Sequence, residues 1–235
     1  MKTTYKESDM YKPIRNLLAE QGFTVRGEVK GCDITAIKED VLWIVEMKLS
    51  ANITLIYQAM ERQTATDWVF VAIPRPKNAR DKTFPKLKKL IKKLQLGLIT
   101  VALDSPMKQA EIIIFPVGKD NKNNKKTNLI KKEALARTVD TTGGSQTKVN
   151  TAFRERCVRI ACLLEANGAS SAKELNKLGC EKDTYSLLYN NILGWYKKAG
   201  KGLFDLSPVG HEYLSENATS SLIIYYRMQA QKHLT

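Results

Sequence analysis

The stretch Val41-Leu42-Trp43-Ile44-Val45-Glu46-Met47-Lys48-Leu49 limits what this chain can fold into more than any other. Its length, β-branching and Trp suit a buried strand, yet two charges interrupt it. Side chains alternate faces along a strand, so Glu46 and Lys48 point one way while Val45, Met47 and Leu49 point the other. Desolvating an unpaired charge is costly, so a charged pair in such a strand calls for a compensating partner. A divalent metal ion is one; a structural ion pair is the alternative.

A second carboxylate is close at hand. Gly31-Cys32-Asp33-Ile34-Thr35-Ala36-Ile37 alternates into an adjacent strand, with Lys38-Glu39-Asp40 as the hairpin turn. Antiparallel pairing brings Asp33 towards Glu46. One or two carboxylates completed by waters and a substrate phosphate suit Mg²⁺ (or Mn²⁺). A neighbouring lysine can orient an attacking water and neutralise charge growing on a phosphate. The spacing alone is unselective, because Glu28-Val29-Lys30 and Asp120-Asn121-Lys122 match it too. Only Glu46 and Lys48 have an apolar strand around them and an upstream strand acid.

The order of a helix, Gly31-Cys32-Asp33, Glu46-Met47-Lys48 and then a helix carrying Gln58 resembles the PD-(D/E)XK nuclease superfamily, which includes restriction endonucleases and archaeal Holliday-junction resolvases. More closely, the chain resembles an uncharacterised bacterial family of PD-(D/E)XK phosphodiesterases. The segments that carry the resemblance start with Glu7-Ser-Asp-Met-Tyr-Lys-Pro13, Gly27-Glu-Val-Lys-Gly-Cys-Asp33 and Trp68-Val-Phe-Val-Ala-Ile-Pro-Arg-Pro76. They continue in Gly143-Gly-Ser145, Thr151-Ala-Phe-Arg154 and Gly194-Trp-Tyr196. The resemblance implies a restriction-endonuclease-like α/β fold with a mixed sheet flanked by helices. It also implies Asp33 and Glu46 as metal ligands, Lys48 as the catalytic lysine, Gln58 as a support on the following helix and Glu7 as an acid of the first helix. Cys32 stands where the superfamily motif has its proline.

Charge points to a partner. The formal net charge is +14, and it is uneven: residues 1–73 carry 9 basic and 10 acidic side chains, 74–149 carry 18 and 6, and 150–235 carry 11 and 8. Phe84 to Gln95 reads as an amphipathic helix with Leu87, Leu90, Ile91 and Leu94 on one face and Lys86, Lys88, Lys89, Lys92 and Lys93 opposite. The basic run continues through Lys119, Lys122, Lys125, Lys126, Lys131 and Lys132. A solvated lysine face is the plain explanation. A nucleic acid, DNA before RNA, is the natural partner for so extended a cluster, because phosphate contact releases counterions.

The rest of the chain reads as further alternating elements. A first helix over Met10 to Leu18, stopped by Gly22, precedes strands at Phe23 to Val29, Asp33 and Glu46. A crossover helix over Ile53 to Thr64, a parallel strand over Trp68 to Ile73, the lysine-rich helix, a strand over Leu98 to Leu103 and an edge strand over Ile112 to Val117 complete a domain spanning 1–118. Residues 119–149 read as a basic linker, with a short helix near Leu129 to Ala136.

Residues 150–235 read as a smaller, mainly α winged helix-turn-helix domain. Its helices are expected at Thr151 to Ala166, Ser171 to Leu178 and Glu181 to Leu193. A hairpin of Trp195 to Lys197 and Leu203 to Leu206 follows. On that plan Lys182, Thr184, Tyr185, Ser186 and Tyr189 face DNA and Lys197, Lys198 and Lys201 form the wing; packing against a protein is the alternative. Leu222, Ile223, Tyr225 and Tyr226 suit a last docked helix or a homodimer contact.

Other chemistries are excluded by what is missing. No run approaches the ~20 apolar residues of a membrane helix and the start is polar. Cys32, Cys157, Cys162 and Cys180 form no Cys-x-x-Cys pair, which speaks against structural zinc and for a reducing, cytoplasmic setting. Gly-rich phosphate loops and Ser/His/Asp patterns are absent. The expectation is a metal-dependent nuclease; the alternative is a non-catalytic nucleic-acid-binding or regulatory protein on an inactive nuclease scaffold.

Overall fold

The computed structural model describes residues 5–76, 83–118, 124–144 and 151–232. The chain divides into two compact units, Met1–Val149 and Asn150–Thr235.

In the first unit a 3-10 turn over Glu7–Met10 runs into α1 (Tyr11–Glu20). Met10, Ile14 and Leu18, at helical spacing, are fully buried. Three strands follow: β1 (Thr24–Val29), β2 (Cys32–Lys38) and β3 (Val41–Met47). Then come α2 (Ile53–Arg62), β4 (Val69–Pro74), α3 (Thr83–Lys93), β5 (Gly97–Val101), β6 (Ala110–Ile114) and α4 (Lys125–Leu135). The six strands lie side by side in chain order. The short hairpins make β1–β2 and β2–β3 antiparallel, while the crossovers through α2 and α3 make β3–β4 and β4–β5 parallel. β6 closes the far edge antiparallel to β5.

This is a mixed six-stranded sheet flanked by helices, and each face has its own core. Val45, Met47, Phe70, Ala72 and Ile99 pack on one side with Met10, Ile14 and Leu18. Leu55, Ala59 and Ile91 of α2 and α3 cover Val69, Val71 and Leu98 on the other. Two residues expected on apolar faces are partly open: Leu49, beyond the end of β3, is 40% exposed, and Leu90 of α3 is 44% exposed. Among the described residues, no helix is long and apolar enough to cross a membrane.

The expected linker is corrected by the structure. Residues 124–144 are an integral part of the first unit, so its boundary lies near 149 rather than 118. Asn124 caps α4 by accepting from Thr127 N at 3.0 Å, and Ile130 and Ala134 pack with Val29, Cys32, Ile37, Leu42 and Ile44. Polar residues misled the sequence reading because several of them are held by specific partners in the first unit. Arg137, buried, donates to the carbonyls of Gly27 at 3.0 Å and Glu28 at 3.1 Å. Asp140 accepts from Tyr11 Oη at 2.6 Å, Arg15 Nε at 2.9 Å and Gly27 N at 3.1 Å. Gly143 then lies so close to β2 that a Cβ there would sit 2.2 Å from the Asp33 carbonyl oxygen.

The second unit opens with α5 (Ala152–Asn167), capped by Thr151 and ended at Gly168. The two-residue β7 (Ser170–Ser171) leads into α6 (Ala172–Lys177), where Ser171 and Glu174 form a reciprocal capping box. α7 (Thr184–Asn190), β8 (Tyr196–Gly200), β9 (Leu203–Leu206), α8 (Pro208–Glu216) and α9 (Ser221–Lys232) complete it. The small sheet has the order β7-β9-β8 and is antiparallel throughout.

α7 is shorter than expected because Asn191 leaves the helix in the left-handed region. Its side-chain amide bonds both the N–H and the carbonyl of Tyr196, tying the helix end to β8. In α9, Leu222, Ile223 and Tyr226 are buried, and Tyr226 Oη donates to Glu155 Oε1 of α5 at 2.8 Å.

If α4 belongs to the folded unit, Ile130→Ala lowers thermodynamic stability by about 3 kcal/mol. Leu129→Ala, at a position 49% exposed, leaves it nearly unchanged. Denaturant unfolding followed by circular dichroism measures both; equal, negligible effects are the result a linker would give.

Candidate functional site

β2 and β3 bring the two expected acids together. The ladder pairs Ile34 with Val45, and one further step of the same register sets Asp33 opposite Glu46. Asp33 does not continue the main-chain ladder there. Its Oδ2 accepts from the Met47 amide at 2.8 Å, which anchors the carboxylate across the strand pair. Glu46, 1% exposed, accepts from Arg62 Nε at 2.6 Å through Oε1. Its other oxygen, Oε2, is buried with no hydrogen-bond partner among the described residues.

Burial governs the protonation of these acids. Desolvation raises Glu46, and the neighbouring Asp33 charge raises it further; the Arg62 guanidinium opposes both, and the balance lies at about 7. Asp33 is also raised by burial, with the Met47 amide and the Lys48 charge pulling it back. Burial thus raises the proton affinity of Glu46, so a cation binding its carboxylate would displace that proton to solvent.

Lys48 directly follows β3, and its main-chain N–H donates to the Ala72 carbonyl of β4 at 3.1 Å. Its Nζ is held 3.0 Å from Glu7 Oε2, a half-buried pair that joins the 3-10 turn before α1 to the end of β3. Gln58 lies on α2, and its Oε1 is a second buried oxygen with no hydrogen-bond partner among the described residues. Glu46 Oε2 and Gln58 Oε1 are each the kind of hard oxygen donor that a divalent cation takes. Among the described residues, no group of three or more His, Cys, Asp and Glu side chains that could hold a metal ion is gathered.

Arg62 is a candidate site residue that the sequence reading missed. It stands one helical turn beyond Gln58 on the same face of α2, and it also donates to the Gly31 carbonyl at the β1–β2 turn. The available signal was the i, i+4 spacing of Gln58 and Arg62 on the helix that follows the Glu46 strand. Arg62 makes the structural ion pair weighed above, although it satisfies only one Glu46 oxygen.

The decoy Glu28-Val29-Lys30 falls at the β1–β2 turn, where Glu28 and Lys30 both have positive φ. Asp120-Asn121-Lys122 lies outside the described residues.

The expected basic residues are more scattered. Lys86, Lys89, Lys92 and Lys93 of α3 are exposed, while Lys88 reaches over the Phe84 ring, 5.2 Å from its centroid. On α4, Lys125 is exposed, but Lys126 donates to Thr64 Oγ1 at 2.7 Å and Lys131 to the Asp40 carbonyl at 2.7 Å. These two hold α4 in place. Lys119 and Lys122 lie outside the described residues. In the second unit Lys182, Tyr185, Lys198 and Lys201 are exposed and Lys197 pairs with Asp205 at 3.6 Å. Thr184 faces inward, 1% exposed, and donates to the Glu181 carbonyl at 2.6 Å, so it is no surface contact.

Residues 99–213 match a family model described as "Putative PD-(D/E)XK phosphodiesterase (DUF2161)". The match runs from β5 through α4 into α8, and the strands that carry Asp33 and Glu46 precede it. No curated protein and no solved structure matches the chain.

The folded-state value of Glu46 lies above the usual 4.5, so the protonated carboxyl stabilises the fold at low pH, and that contribution is lost as pH rises from about 4.5 towards about 7. In the absence of divalent cations, stability should fall across that window by an amount on the order of 2 kcal/mol, and Glu46→Gln should flatten the fall. Thermal melts at pH 5 to 8 on both proteins check the sign; a wild-type curve that rises through the window contradicts it.

Proposed function

We propose that this protein is a divalent-metal-dependent nuclease, hydrolysing phosphodiester bonds in nucleic acid, DNA before RNA. The observation that carries the reading is the buried Glu46, with one oxygen lacking a hydrogen-bond partner among the described residues, set opposite an Asp33 that also feels the Lys48 charge. The family match to a phosphodiesterase supports hydrolytic chemistry.

Asp33 and Glu46 would hold Mg²⁺ (or Mn²⁺), with Gln58 Oε1 as a further oxygen donor nearby. When bound, the cation acts as Lewis acid towards the phosphate and lowers the pKa of a coordinated water. The protein's own groups do the rest. The Met47 amide fixes one Asp33 oxygen, and the Asp33 carboxyl shares a hydrogen-bonding contact with Glu46. Arg62 fixes Glu46 Oε1 and leaves Oε2. Glu7 holds the Lys48 ammonium in place, where it orients the attacking water and offsets negative charge accumulating on the phosphate oxygens. Hydrolysis forms one bond from water oxygen to phosphorus and breaks the bond to the departing sugar oxygen. The proton lost by water balances the one gained by that oxygen.

The exposed lysines of α3 are suited to the sequence-independent part of substrate binding. The second unit has the helix, short helix, helix, hairpin order of a winged helix, which supports a role in holding nucleic acid. A reducing cytoplasmic setting agrees with the four free cysteines, and homodimerisation is part of the proposal only as a way to cut both strands of a duplex.

Arg62 gives one specific reason for a second reading, in which the scaffold binds nucleic acid without cutting it: a guanidinium already supplies Glu46 with positive charge. Two measurements separate the readings. Cleavage of single-stranded, duplex and branched DNA and RNA with Mg²⁺ or Mn²⁺ should be lost by about a thousandfold in Asp33→Ala and in Lys48→Ala. Calorimetry of the metal alone at pH 6.5 should show binding with proton release, which Glu46→Gln abolishes. Cleavage that persists in both variants overturns the catalytic reading; salt-sensitive binding with neither turnover nor metal uptake supports the second.

A further inference from the structure

The second unit carries an aromatic surface that the hydrolytic site does not use. Tyr185 and Tyr189 are four residues apart on α7, so they share one face of the helix, opposite the buried Thr184 and Leu188. They are 56% and 60% exposed. Their rings stack on each other with centroids 5.9 Å apart and planes 18° from parallel. The pair is braced from below, because Tyr185 meets the buried Phe204 of β9 edge-on. Beside it, Lys198 of β8 places its Nζ 5.4 Å from the Tyr189 ring centroid.

The two stacked, exposed tyrosines present a flat π-surface to solvent, and the charges around the pair say what that surface fits. The acids closest in sequence are already matched: Arg156 pairs with Glu181 and Asp183, and Lys197 with Asp205. Lys182, Lys198 and Lys201 form no ion pair among the described residues and are exposed. The remaining field is positive beside flat π-faces. A duplex hides its base faces within the stack and offers edges and phosphates. An unpaired strand offers both faces and phosphates, the combination that aromatic rings with interleaved lysines bind.

We propose that Tyr185 and Tyr189 form a stacking platform for unpaired nucleotides, with Lys198 and its neighbouring lysines on the phosphates, so that this unit selects single-stranded or locally opened nucleic acid. The platform deepens the nucleic-acid reading above but does not depend on catalysis.

The test uses the full chain in EDTA, where no metal-dependent cleavage proceeds, with a fluorescent oligothymidylate and a duplex of equal length as probes. Anisotropy should give binding to the single strand about tenfold tighter than to the duplex. Tyr185→Ala and Tyr189→Ala should each weaken single-strand binding about tenfold at unchanged salt dependence, whereas Tyr189→Phe retains it. Lys198→Ala should instead reduce the slope of log Kd against log salt, by roughly 0.7. Photocrosslinking of an iodouracil-substituted strand should map to Tyr185 or Tyr189. Equal or tighter duplex binding that the alanine variants leave intact overturns the proposal. So does self-association abolished by Tyr185→Ala without oligonucleotide binding, which would make a second copy the occupant. Single-strand binding by a protein that never cuts keeps the platform and overturns only the nuclease reading.

Discussion

Desolvation of one carboxylate organises the first unit. Glu46 sits in an apolar strand with almost no access to water, where an isolated negative charge is untenable. The surrounding residues are arranged as answers to that cost. Arg62 reaches across from α2, the proton affinity of the carboxyl rises, and Asp33 is pinned by a main-chain amide instead of being left to repel its neighbour freely. Lys48 and Glu7 form a second pair at the rim, half-open to solvent and therefore able to change partner at lower cost. Along a few residues of one strand the surroundings thus change from a sealed Glu46 to a partly open Lys48.

Much of this was legible in the sequence because it rests on short-range rules. Period-two alternation puts Glu46 and Lys48 on one face, and a hairpin of a few residues fixes the register that sets Asp33 opposite. The strand and helix order of the first unit follows from the same patterning. Side-chain periodicity says which face a residue takes, and in this fold the faces decide most of the chemistry.

What the sequence hid is long-range. The i, i+4 spacing from Gln58 puts Arg62 on the same helix face, but it does not distinguish a partner of Glu46 from a solvated helix terminus. Residues 124–144 look like a linker because composition cannot distinguish polar groups bound to water from polar groups bound to protein. Lys126, Lys131, Arg137 and Asp140 are all of the second kind. Thr184 misled in the opposite sense, since a small polar residue beside two exposed tyrosines turned inward to cap a turn. In each case the missing information was a contact between residues far apart in the chain or a choice of rotamer.

The sheet and its closing strap stand in different relations to chain order. Every strand neighbours the one synthesised just before it, so the ladder can zip up progressively as the polypeptide emerges. The strap contacts, from Arg137 and Asp140 to Gly27, bridge separations of 110 and 113 residues and can only form last. During synthesis the site strands would therefore exist as an open, unlatched sheet, and the backbone around Asp33 acquires its final support only when Gly143 arrives.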